Sequence, residues 1–111
     1  MAVIGDTVIV TDKSDGAVCL RSDGTVIREL RDGRLVNTVS VCVSDDGTVF
    51  VAGNSSHNIV MFGRDGKCLG ELLDKDGGLQ RPVSMCYDKK RNCIVVGNYR
   101  SNNLVVLNMS L

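Results

Sequence analysis

Tryptophan is absent from this 111-residue chain, all aromatics together make up 4% of it, and there is one proline, Pro82, and one histidine, His57. Hydrophobic residues nonetheless make up 43% of the chain, enough for a packed core. Catalysis by paired histidines is excluded. The five cysteines, Cys19, Cys42, Cys68, Cys86 and Cys93, sit singly inside apolar runs and never form a Cys-x-x-Cys pair, which argues against a zinc finger or ribbon. They are expected to be small, polarizable packing residues of crowded strands. Charge of one sign is lacking too: thirteen basic and thirteen acidic residues give a formal net charge of +0, so no long-range field gathers nucleic acid or an anionic membrane. No apolar run reaches the roughly 18 residues needed to cross a bilayer. Met1 to Val10 carries Asp6 and no basic start, unlike a secretory signal, and a cytoplasmic location is expected. Although there are twelve glycines, neither Gly-x-x-x-x-Gly-Lys-Ser/Thr nor Gly-x-Gly-x-x-Gly occurs.

What is present is repetition. The segment from Gly47 to Phe62, with Val51-Ala52-Gly53-Asn54 and Asn58-Ile59-Val60 inside it, is echoed from Cys93 to Leu107 by Val95-Val96-Gly97-Asn98 and Asn103-Leu104-Val105. A weaker copy runs from Val8 to Leu20. Ser22-Asp23-Gly24 with Glu29-Leu30 recurs 42 residues on as Arg64-Asp65-Gly66 with Glu71-Leu72, and Val39-Ser40-Val41-Cys42 recurs 44 residues on as Val83-Ser84-Met85-Cys86. A period of roughly 40 to 50 residues made of short strands is the mark of β-propeller blades.

Valine and isoleucine runs of four to six residues, bounded by Gly, Asp, Asn and Ser and without a 3.6-residue period, read as strands. They are expected near 7–11, 17–21, 25–30, 39–43, 48–52, 59–62, 67–72, 83–87, 93–97 and 104–108. Asp23-Gly24, Asp46-Gly47 and Asp65-Gly66 place glycine where a tight hairpin needs positive φ, and Asn92 serves similarly. The fold class expected is all-β: a partial β-propeller of about two and a half four-stranded antiparallel blades. Blade one spans 5–30 without its inner strand, blade two 39–72, and blade three 83–111 without its outer strand. Turns fall at alternate ends of such a meander. One rim therefore carries Asp45-Asp46-Gly47 and Arg64-Asp65-Gly66, and the other carries 54–58 and 73–80.

The run Val49-Phe50-Val51-Ala52-Gly53-Asn54-Ser55-Ser56-His57-Asn58-Ile59-Val60-Met61-Phe62 with Asp65-Gly66-Lys67 resembles the NHL repeat, a module of six-bladed propellers at the C-terminus of many tripartite-motif proteins. The resemblance covers nearly the whole chain, strongly from Val39 onward. It implies two to three C-terminal blades of a larger six-bladed propeller, or a product retaining only them. The family's arginine before the third strand is replaced by Asn58 and Asn103.

The resemblance implies a non-catalytic binding or scaffold module, with any ubiquitin-ligase chemistry belonging to an upstream RING. Its partner surface is the rim of second-to-third-strand loops and blade connections. Carried onto this chain, the partner-binding candidates are Arg34, Asn54, Ser55, His57, Asn58, Arg81, Tyr99 and Arg100. A protein partner is expected. RNA is the alternative, although rim charges nearly cancel and Tyr99 is the only rim aromatic. His57 lies among Ser55, Ser56 and Asn58, but neighbours in one loop do not build a nucleophile–base–orienter chain, so it reads as a turn residue. The other alternative is a remnant of a metal-dependent propeller enzyme of lactonase or amidating-lyase type. Inner strands offering only Ser40, Ser44, Ser84 and Asp88 argue against it, and no metal or cofactor is expected. An isolated arc leaves two blade faces open, and self-association through them is expected.

Overall fold

Eleven short strands form three antiparallel sheets in meander order, in a computed structural model that describes residues 1–99 and 104–109. The first sheet comprises β1 (Ala2–Ile4), β2 (Thr7–Thr11), β3 (Gly16–Arg21) and β4 (Val26–Arg31). The second comprises β5 (Thr38–Val43), β6 (Val49–Gly53), β7 (Asn58–Phe62) and β8 (Cys68–Leu73). The third comprises β9 (Pro82–Asp88), β10 (Cys93–Asn98) and β11 (Leu104–Asn108). Each sheet is a propeller blade, and the chain is a partial β-propeller.

The residue choice follows from how many sides of a strand are covered. Strand β6, Val-Phe-Val-Ala-Gly, is buried at every position, because its sheet is sandwiched between the other two. A strand covered on both faces reads as a continuous apolar run. Its odd residues, Val49 and Val51, join Val41, Val60 and Phe62 against Ile9, Ala17, Cys19 and Leu30 of blade one. Its even residues, Phe50 and Ala52, join Cys42 and Ile59 against Met85, Ile94 and Val96 of blade three. Alternation across the pleat thus assigns successive side chains of one strand to two separate seams. Strand β11 alternates between exposed and half-buried, since only one face of its blade is covered.

The blade connections plug these seams. Leu35 and Leu79, both 1% exposed, lie in loops and enter the first and second core respectively. Thr38, fully buried, donates its hydroxyl to the Gly16 carbonyl at 2.9 Å, and its N–H bonds the Ser14 carbonyl, so blade two is stitched to blade one.

Two expectations are corrected. Blade one does have an inner strand: Ala2–Ile4 pairs with Thr7–Thr11, Ala2 opposite Ile9 and Ile4 opposite Thr7. Three residues are too few to show a pattern, and the Gly5-Asp6 link is a two-residue hairpin whose first position has positive φ (56°). The second correction concerns Cys86, which is exposed rather than a packing residue, while Cys19, Cys42 and Cys93 are buried and Cys68 is half-buried. Cys86 belongs to the face of blade three that has no neighbouring blade.

The Gly-Asn echo is also displaced. Thr38 and Ser40 oppose Gly53 and Ala52 across a bulge that skips Val39, and Pro82 and Ser84 oppose Asn98 and Gly97 across one that skips Val83. Gly53 is therefore equivalent to Asn98, and Asn54 to Tyr99.

Candidate functional site

Alternating turns place the β2–β3 and β6–β7 loops, Tyr99 at the end of β10 and both blade connections on one rim. On this rim the carbonyls just before each inner strand receive the following loop: Asn54 N–H donates to the Asn37 carbonyl at 3.0 Å, and Tyr99 N–H to the Arg81 carbonyl at 2.9 Å. Asn37 and Arg81 both take positive φ, 59° and 47°, which turns their carbonyls to face those loops.

The 54–57 loop is held from within. Ser56 Oγ donates to Asn58 Oδ1 at 2.6 Å and accepts from Val36 N–H at 2.9 Å. Gly53 makes room for this: a Cβ there would stand 2.1 Å from Ser56 Oγ. Asn58, 2% exposed, donates to the Arg34 carbonyl and to Glu71 Oε2, each at 2.8 Å. An amide thus makes the bridge to the outer strand at the position where the resembled family carries arginine.

The candidates divide into two groups. Arg34 is occupied: its guanidinium grips Asp32 through two bonds of 2.9 Å and also reaches Cys68 Sγ at 3.4 Å. That pairing holds the Asp32 carboxyl well below the usual carboxylate range, against an opposing effect of burial, and raises Arg34 in turn. Asn58 is buried and structural. Ser55 is exposed on the loop. Arg100 lies outside the described residues.

Asn54, His57, Arg81 and Tyr99 come together from three loops of two blades. Arg81 N–H donates to His57 Nδ1 at 2.9 Å, which leaves the neutral ring's proton on Nε2. The Arg81 guanidinium lies over the Tyr99 ring, 5.0 Å from its centroid, and bonds Asn54 Oδ1 at 3.4 and 3.5 Å. Asn54 Nδ2 is in turn fixed by the Pro82 carbonyl at 3.0 Å. Among the described residues no carboxylate pairs with Arg81. Arg81 is exposed and its guanidinium stacks on an aromatic face, an arrangement suited to a planar anion or a carboxylate.

Elsewhere the rim neutralises itself. Arg31 is paired with Asp12, with Asp15 at 3.2 Å and with Glu29 at 2.8 Å. Arg34 and Arg81 are both rim candidates by charge; Arg34 is paired with its near neighbour Asp32, and the fold shows Arg81 stacked instead on Tyr99. Opposite the rim, clefts of about 290 and 400 Å3 open between successive blades. Arg28 and Arg64 border the first, and Asp45, Asp46 and Lys89 the second. Among the described residues no group of three or more His, Cys, Asp or Glu side chains is arranged to hold a metal ion, and no helix is long and apolar enough to cross a membrane.

No protein-family model matches the chain, and none of the curated proteins matches it. Among solved structures it is similar to Kuenenia stuttgartiensis hydrazine synthase, with a TM-score of 0.78, 15% identity, and 95% of this chain against 30% of that one covered. It is likewise similar to the dihydro-heme d1 dehydrogenase NirN in complex with DHE, with a TM-score of 0.75, 24% identity, and 96% against 24% covered. Both are β-propeller proteins. At these identities the likeness is one of fold. The chain spans less than a third of the length of either.

Proposed function

We propose that this chain is a non-catalytic recognition module of NHL type, working in the cytoplasm, that binds a protein partner through the Asn54–His57–Arg81–Tyr99 rim cluster. The observation that carries the reading is the Arg81–Tyr99 stack. Arginine and tyrosine are among the residue types that most often dominate interface energies, and here the backbone N–H of each is bonded, Arg81 to His57 and Tyr99 to the Arg81 carbonyl. An acidic side chain or terminal carboxylate on the partner would satisfy the guanidinium. RNA is the less favoured ligand, because Arg31 and Arg34 are already paired with carboxylates and one exposed tyrosine is a small stacking platform.

The test is affinity capture from cytoplasm with the wild-type chain and with Arg81→Ala and Tyr99→Ala. Truncating a dominant anchor costs about 2 kcal/mol or more, a loss of roughly 30-fold in affinity, with thermal stability nearly unchanged because both side chains are exposed. Partners retained equally by both variants would overturn the reading. A second reading, a remnant of a propeller enzyme, draws on one observation: both solved neighbours bear enzyme names. Stoichiometric metal in the purified chain would support it.

A further inference from the structure

We propose that two copies of this chain close head to tail into a six-bladed ring, the open face of blade one on each copy packing against the open face of blade three on the other.

The two seams within the chain define what each blade face requires. Every blade has a face that meets the blade before it and a face that meets the blade after it. In blade two both are covered, and each contributes to an apolar cluster. Blade one's first-kind face is open, with Val3 64%, Val10 37% and Val26 57% exposed. Blade three's second-kind face is open, with Leu104 65% and Val106 59% exposed on β11 and Cys86 exposed on β9, across β10 from Val106. The two open faces are thus opposite in kind. They are the two halves of one more seam, and a single copy, with its blades in one arc, holds them at its two ends.

Blade number selects the number of copies. Propellers close with about four to eight blades, and six is the only multiple of three in that range. A head-to-tail contact repeated twice closes under a two-fold axis. The surface agrees: the chain exposes 6360 Å2, about 400 Å2 more than the roughly 5,950 Å2 of a compact monomer of 11.9 kDa. Strands of five to seven residues in a three-stranded face present roughly 250 Å2 in projection. Two faces on each of two copies therefore bury roughly 1,000 Å2, the lower bound of a specific interface. A net charge of +0 leaves no long-range repulsion between copies.

The experiment is light scattering after size exclusion on the 111-residue chain, with Val10→Glu and Val106→Lys, each on a residue exposed in the single copy so that folding is spared. The wild type should have twice the 11.9 kDa chain mass, and each variant alone the mass of one chain with its β-sheet circular dichroism kept. Mixing the two variants should restore the pair, because one seam is then unaltered and the other joins opposite charges. Mapped alkylation of Cys86 should be slow in the wild type and fast in either variant. A wild-type monomer at micromolar concentration, an open-ended series of oligomers, or a pair broken by only one of the two substitutions would overturn the proposal.

Discussion

Replacing Phe50 with alanine removes the largest fully buried side chain of the seam between blades two and three, at a position 1% exposed. A buried Phe→Ala change costs about 3–5 kcal/mol through lost transfer energy and residual cavity. The whole chain, at about 0.05–0.15 kcal/mol per residue, has roughly 6–17 kcal/mol to lose. The cost is not shared evenly. The buried apolar residues of blade three, Met85, Ile94 and Val96, and Leu79 of the connection before it all lie in the cluster that contains Phe50, whereas blade one packs on the other side of β6. Because stacked units are stabilised by nearest-neighbour interfaces, blade three should undock first. Amide hydrogen exchange on monomeric chain would then show protection falling in β9–β11 well before β1–β4. Ile9→Ala, 1% exposed in the opposite seam, costs about 2–5 kcal/mol and should reverse the order. Equal loss of protection at both ends for both variants would refute a two-seam arrangement.

Thr38→Val keeps the side-chain shape but removes the donor to the Gly16 carbonyl, and should lower stability by about 1–3 kcal/mol in urea unfolding. Asp32 has a depressed folded pKa, so its contribution is present above the ordinary carboxylate range and is lost as pH falls through the folded value. Urea midpoints measured from pH 5 down to 2 should fall less steeply for Asp32→Asn than for the wild type. Burial, reinforced by the nearby Cys86 thiol, pushes the Cys42 thiol up to about 12, so iodoacetamide at pH 8 should leave it unmodified until the chain unfolds.

Local chemistry made most of the architecture legible from residues alone. Gly24, Gly47 and Gly66 have φ of 90°, 86° and 86°, and each follows an aspartate whose Oδ1 accepts the N–H two residues on, as the Asp-Gly turn signal implies. Ten strands fell within a residue or so of their expected bounds because the apolar runs and turn residues agree. The short Ala2–Ile4 strand was hidden by its length. Leu35 and Leu79 lie outside any strand pattern, and their only mark as core is that each is a lone leucine three residues before an inner strand, a spacing that repeats. The one-residue displacement between Asn54 and Asn98 arises in the strand register, to which a match of letters is blind. At the rim, charge type nominated Arg34 and Arg81 equally. Arg34 pairs with Asp32 only two residues away within one connection, whereas the stack of Arg81 on Tyr99 joins a connection to a distant loop and is set by blade stacking.

The alternate allocation of β6 side chains is tested most directly by methyl and aromatic NOEs in solution. Val49 and Val51 should connect to Ile9 and Leu30 in one network, and Phe50 and Ala52 to Ile94 and Val96 in another, with none between Ile9 and Ile94. A single mixed network, with Ile9 reaching Ile94, would contradict three blades stacked in series.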